Sequence, residues 1–250
     1  MAWALVDLVT PAECPGCGNP VMIAGGTSAW CDSCSADLRR RWYAAPRRSE
    51  PSPSPPGLPQ VVAAGDYAGA LRHAIVSYKD AGNARLRPEL AGHLAGALGR
   101  LARPPGVVLV PMPSAARADR ARGGAPVAAL VARAADLLPE PIPVLRSLRI
   151  SRPVADQAGL DRRARAQNVG GAYAVFRRVA PQLALRPVLL ADDVLTTGAT
   201  LAEGARAVRA VGGRVLGAAV VAATHRRAVF DWSTVAVRAT VEERRRSAKR

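Results

Sequence analysis

Val188-Leu-Leu-Ala-Asp192-Asp193-Val-Leu-Thr196-Thr197-Gly198-Ala199-Thr200 is the stretch on which the reading of the fold turns. The apolar run from Pro187 to Ala191 has the length of a buried strand. It ends in two acids and a turn of small residues. From Thr200 to Val211 the apolar spacing becomes helical and is closed by Gly212, and Arg214 to Ala222 is again a buried strand. Apolar strands alternating with helices predict an α/β fold with a parallel sheet covered on both faces. Such sheets bind ligands at the carboxyl ends of their strands, which is where Asp192, Asp193 and the turn fall. Thr196, Thr197, Gly198, Ala199 and Thr200 bring several backbone N–H groups and three hydroxyls to a helix N-terminus, whose partial positive charge favours a phosphate. Gly198 allows a close approach. Asp192 and Asp193 can accept hydrogen bonds from a vicinal diol, or meet one through a divalent cation.

Upstream of this stretch, Leu71, Ile75 and Tyr78 recur at helical spacing, and so do Leu90, Leu94, Leu98 and Leu101. Val107 to Val110 reads as a short strand, followed by a helix with Val127, Leu130, Val131 and Ala134 on one face. Pro111-Met112-Pro113-Ser114 leaves that strand either as a second ligand loop or as a rigid turn into the next helix. Between Ser147 and Gly171 the chain is polar and basic. Ala44 to Gln60 carries six prolines, at 46, 51, 53, 55, 56 and 59, and predicts an extended or disordered linker. The expected organisation is a cysteine module over residues 1–43, a linker over 44–60, an α/β domain over 61–240 and a basic tail over 241–250.

All four cysteines belong to the first part, as Cys14-Pro-Gly-Cys17 and Cys31-Asp-Ser-Cys34 with 13 residues between the pairs. Two such knuckles can point four thiolates at one tetrahedral zinc ion. Gly16 and Gly18 supply the tight backbone they need, and four thiolates leave no open position for catalysis, so the predicted site is structural. Two disulfides are the alternative, and they require an oxidising compartment.

The 250 residues are 49% apolar, 22% charged and 4% aromatic, a balance that excludes a disordered tail, a collagen-like fibre or a coiled coil. The longest nearly apolar run, Val215 to Ala223, is about half of the roughly 20 residues a bilayer-spanning helix needs. MAWALVDLVT lacks a basic n-region and carries Asp7 in its apolar stretch, so a cytoplasmic location is expected. Lys plus Arg number 35 against 19 acids, a net charge of +16, and only Lys79 and Lys249 are lysines. The excess calls for polyanions as partners, either nucleic acid or a highly phosphorylated small molecule. Lys79 reads as a compact functional ammonium or as a helix-end cation beside Gly82.

The stretch around Asp192 resembles the signature by which type I phosphoribosyltransferases bind phosphoribosyl pyrophosphate (PRPP): a hydrophobic strand, two acids and a T-T/A-G-x-T loop. The wider sequence resembles the ComF family, which places a four-cysteine module ahead of a phosphoribosyltransferase domain. The matching pieces occur in order: the paired C-x-x-C motifs, Tyr78-Lys79 with Gly82, Val110-Pro111-Met112-Pro113, Arg122-Gly123, Arg149 with Gln157 and Leu160, Arg165 with Asn168-Val169, and the Asp192-Asp193 loop. It departs from the family at Gly124, Ala125 and Ala164. The resemblance implies the type I fold with a zinc-ribbon-like module, and PRPP and magnesium as ligands. It also implies transfer of phosphoribose to a nitrogen nucleophile with release of pyrophosphate. Asp192 and Asp193 would hold the ribose hydroxyls and magnesium, and Thr196 to Thr200 the 5′-phosphate. Pro113, Ser114, Arg122, Arg149 and Lys79 are candidates for the pyrophosphate. ComF relatives are associated with competence and DNA uptake. That association gives a rival expectation, a non-catalytic single-stranded-DNA-binding competence factor with competence-protein partners. Its contacts would be Arg39, Arg40, Arg41, Arg47 and Arg48 beside the module, with Arg244, Arg245, Arg246 and Lys249 in the tail.

Overall fold

The computed structural model describes residues 12–21, 30–43, 45–114, 124–151 and 171–224. Its strands are β1 (Ala12–Glu13), β2 (Pro20–Val21), β3 (Arg47–Ser49), β4 (Val61–Asp66), β5 (Val108–Pro111), β6 (Leu148–Ile150), β7 (Tyr173–Val175), β8 (Pro187–Leu195) and β9 (Arg214–Ala223). Its α-helices are α1 (Asp32–Tyr43), α2 (Gly69–Lys79), α3 (Arg87–Leu98), α4 (Pro126–Asp136), α5 (Ala180–Leu183) and α6 (Ala199–Arg209). The fold is mixed α/β around a mostly parallel sheet of order β3-β4-β9-β8-β5, in which only β3 runs antiparallel. A β1-β2 ribbon and a β6-β7 hairpin stand apart from it.

The central strands are apolar on both faces because both are covered. Leu189, Ala191, Ala219 and Val221 face a cluster shared with α2, α3 and α4, whereas Val188, Leu190, Ala218 and Val220 face α6, α5 and the hairpin. That is the period of two expected of a strand, applied to a sheet with no wet side. Leu101 lies past the end of α3, in a turn where its N–H reaches Leu98 O at 3.1 Å, yet it is still buried.

Two expectations are altered. First, β8 extends four residues beyond Ala191, so the two acids lie within the strand instead of terminating it. β9 continues beside them, pairing Asp192 with Val220 and Val194 with Ala222, while β5 stops at Pro111 opposite Ala191. Charged residues are depleted in strands, but here the neighbouring backbone carries them. Second, the Pro-rich segment is extended but not detached from the domain: β3 pairs with β4, and Ser49, Pro51 and Pro59 are buried. The cysteine module is packed likewise. Cys14, Trp30, Cys34 and Leu38 belong to the same apolar cluster as α2 and α3, and the His73 Nδ1–H donates to the Gly16 carbonyl.

His93 of α3 lies within this cluster, 2% exposed, and burial pushes its pKa from 6.5 to about 4. The unfolded chain therefore takes up a proton near pH 6.5 that the folded chain refuses until about pH 4. Stability is full above that window and falls through it by about 3 kcal/mol. Urea midpoints of the wild type should drop between pH 7 and pH 4.5, and His93→Gln should flatten that slope.

Candidate active site at the carboxyl end of β8

Asp192 and Asp193 are 8% and 4% exposed, although they project from the last, one-sided part of β8. Each carboxylate turns back on the strand. Asp192 Oδ1 accepts the N–H of Asp193 at 2.9 Å, and Asp193 Oδ1 accepts that of Val194 at 2.9 Å. These bonds employ oxygens that water would otherwise solvate. The remaining oxygen of Asp193 meets the Lys79 ammonium, 2.6 Å from Nζ to Oδ2. Lys79 is the last residue of α2, a helix-end cation whose charge is delivered to the acid pair. Burial works against its ammonium, but Asp193 and Asp192 outweigh that and raise its pKa. Asp192 moves upward too, because burial and the Asp193 charge beside it exceed what Lys79 gives back. With the Asp192 pKa raised to about 8, the Lys79–Asp193 ion pair leaves the pocket close to neutral at pH 7, and a cation arriving beside Asp192 would favour its ionised form.

The turn after β8 leads directly into α6. Gly198 caps the helix with φ of +78°, and the Ala199 N–H donates to Thr197 Oγ1 at 3.4 Å. Thr224 ties the base of the turn, its N–H donating to Leu195 O at 2.9 Å and its hydroxyl to the same oxygen at 3.3 Å. Pro113 and Ser114 leave β5 half-exposed, and Met112 N–H donates to Ala191 O at 2.8 Å, which sets this second loop beside the acids. Arg149 is exposed on β6, paired across the hairpin with Ala174. Arg122, the segment 152–170 and the tail 241–250 lie outside the described residues.

A Cβ at Gly198 would crowd Leu58 at 3.0 Å and Pro51 at 3.2 Å, and the left-handed φ of +78° disfavours any other residue there. Gly198→Val should destabilise the fold by about 2–4 kcal/mol, from left-handed strain plus overpacking, as read by urea titration.

Three site neighbours escaped the sequence reading. The Tyr173 phenol is buried against Thr200 and close to Asp192, and burial with the Asp192 charge raises its pKa. Glu203, 5% exposed, accepts a two-pronged bond from Arg206 at 2.8 Å to each oxygen, and the Tyr173 N–H at 3.0 Å. Arg206 also donates to Tyr173 O at 2.9 Å. The pair thereby fixes the hairpin to α6. Burial opposes the Glu203 charge, yet Arg206 and the Tyr173 and Gly171 amides hold its carboxyl below the usual range.

At the cysteine module the four Sγ atoms lie within 4.8 Å of one another and no disulfide joins them. A tetrahedral thiolate site with zinc–sulfur bonds of about 2.3 Å needs sulfurs about 3.8 Å apart; Cys17 and Cys31 are 3.6 Å apart. The Cys31 N–H points at Cys14 Sγ, 3.4 Å away. Gly16 is obligatory by contact, since a Cβ there would stand 2.7 Å from Cys34 Sγ. Hydrogen bonds from Ser33 and the Cys34 backbone lower the Cys31 thiol to about 6, whereas burial raises that of Cys34. Of the arginines expected at a nucleic-acid surface, Arg47 pairs with Asp66, Arg48 lies 3.9 Å from Glu50, and Arg40 lies 3.7 Å from Asp37.

Residues 121–243 match the family model described as the phosphoribosyl transferase domain. The chain carries a phosphoribosyltransferase domain. No curated protein matches the chain. The matched stretch holds the acid pair, the Thr196–Thr200 turn, the hairpin and α6, while α2 with Lys79 and the strands β4 and β5 precede it. A phosphoribosyltransferase domain suggests phosphoribosyl transfer as its general chemistry and PRPP as the donor. No helix among the described residues is long and apolar enough to cross a membrane.

Proposed function

We propose that this protein is a ComF-like phosphoribosyltransferase that binds PRPP with magnesium and transfers phosphoribose to a nitrogen nucleophile, releasing pyrophosphate. The observation that carries the proposal is the continuity of buried acid pair, left-handed glycine cap and helix N-terminus in one strand-turn-helix, with Lys79 held against Asp193. In this reading the amides of the Thr196–Thr200 turn receive the 5′-phosphate. Asp192 and Asp193, a buried pair of hard oxygen donors, suit a divalent cation and the ribose hydroxyls. Magnesium, when bound, supplies charge neutralisation for the pyrophosphate oxygens. As the C1–oxygen bond breaks, its electron pair leaves with pyrophosphate, and the incoming nitrogen forms the new bond at C1. The carboxylates stabilise the positive charge that develops on the ring. Pro113 and Ser114, on the loop that leaves β5, and Arg149 are proposed to meet the leaving pyrophosphate. Lys79, held against Asp193, is proposed to turn to that group once PRPP is bound, and the resemblance proposes the same role for Arg122.

The four-cysteine cluster is proposed to hold one structural zinc, its thiolates filling all four positions. The resemblance to ComF links the transfer to DNA uptake. Calorimetric titration with PRPP in the presence and absence of magnesium tests the binding, and a pyrophosphate-release screen over nucleobases tests the transfer. Saturable, magnesium-dependent PRPP binding is expected; none at millimolar PRPP ends the proposal.

A further inference from the structure

The Pro-rich segment is built against the back of the phosphate loop. Pro55-Pro56-Gly57-Leu58 forms a turn in which the Leu58 N–H donates to Pro55 O at 3.2 Å and Gly57 has φ of +78°. Proline followed by a positive-φ glycine is the requirement of a type II turn, so the residues themselves impose the shape. The turn delivers Leu58 into the cluster beneath α6, where with the buried Pro51 it contacts Gly198. At the other end of the helix Arg209 Nη1 donates to Gly57 O at 2.8 Å. The segment is thus fastened at both ends of the helix whose first turn is the loop, and its beginning is fixed by the pairing of β3 with β4. A cleft of about 450 Å³ separates Pro55, Pro56 and Gly57 from the middle of α6.

We propose that Leu58, backed by Pro51, is a positioning residue for the Thr196–Thr200 loop. Glycine at a helix cap has little conformational preference of its own, and Gly198 brings no side chain to cap α6. Within the turn the Ala199 N–H donates to Thr197 Oγ1 at 3.4 Å, and the direction of the loop as a whole is held by what packs behind Gly198, Leu58 with Pro51. Amides fixed in advance bind an anion without the cost of ordering the loop. Part of the donor site is in this way supplied by a segment that precedes the family-matched stretch. The proposal rests on the phosphate-binding reading of the loop, and its test separates the two.

The full chain is compared as wild type, Leu58→Ala, Leu58→Met and Leu145→Ala. Leu145 is a half-buried leucine on the same cluster, beside Leu109 and far below the loop, and serves as the packing control. Hydrogen exchange at the amides of 196–200 should accelerate at least tenfold in Leu58→Ala, return towards wild type in Leu58→Met, and stay unchanged in Leu145→Ala. With magnesium, the PRPP Kd should rise about tenfold in Leu58→Ala alone. Unchanged loop exchange in Leu58→Ala overturns the proposal, as does equal acceleration in Leu145→Ala. So does a loosened loop that keeps wild-type PRPP affinity. A wild type that binds no PRPP removes the functional reading instead, and loop exchange still decides whether Leu58 holds the loop.

Discussion

Asp192→Asn combined with Asp193→Asn is expected to abolish magnesium-dependent PRPP binding, with at least a hundredfold loss of affinity by calorimetry. Two charge-assisted contacts at about 1.5–3 kcal/mol each account for that loss. The sheet should survive the change. Each asparagine keeps a carbonyl oxygen for the N–H of the next residue, and the repulsion between adjacent buried charges disappears. Loss of the Lys79 ion pair offsets that relief, so the melting temperature should change by only a few degrees while binding vanishes. Equal PRPP affinity in wild type and double variant would falsify the roles given to the pair.

Loss of the metal should reach well past the module. Structural zinc in small thiolate sites contributes on the order of 10 kcal/mol to folding, and here Cys14, Trp30, Cys34 and Leu38 share one apolar cluster with α2 and α3. Metal analysis is expected to find one zinc per chain, and Cys34→Ser, or prolonged chelation, should release it and lower the melting temperature of the whole chain by more than 10 °C. A protein purified without zinc, or one that melts identically after chelation, would rule the site out. α2 also bears Lys79, so a loosened module should shift the ammonium away from Asp193.

The strand-turn-helix around Asp193 was legible because its cues are local. An apolar run, two acids, a small-residue turn and a helical repeat all fall within one window, and the cysteine spacing is equally compact. What remained hidden depends on pairs far apart in the chain. The partner of Lys79 is fixed only when α2 packs over the end of β8, and the contact of Leu58 with Gly198 only when β3 docks on β4. Six prolines in Ala44–Gln60 argued for an extended or disordered linker; the Pro56-Gly57 dipeptide, which that reading did not weigh, turns the segment onto a defined path. The i, i+3 spacing of Glu203 and Arg206 was visible too. An ion pair on a helix surface is commonplace, however, and nothing local told that hairpin β6-β7 would bury it.

The antiparallel β3 also governs how the protein behaves towards its own copies. β4 is apolar from Val61 to Ala64 and buried, and without β3 its outer row of N–H and C=O groups would be an open template for strand pairing between molecules. β3 occupies that row with only three residues and presents Arg47 and Arg48, both exposed, to the solvent beyond. A short, positively charged outermost strand resists extension by another chain. The stretch that joins module to domain is therefore also a guard against self-association, and proteolysis within it would expose an adhesive edge as well as remove the support behind the phosphate loop.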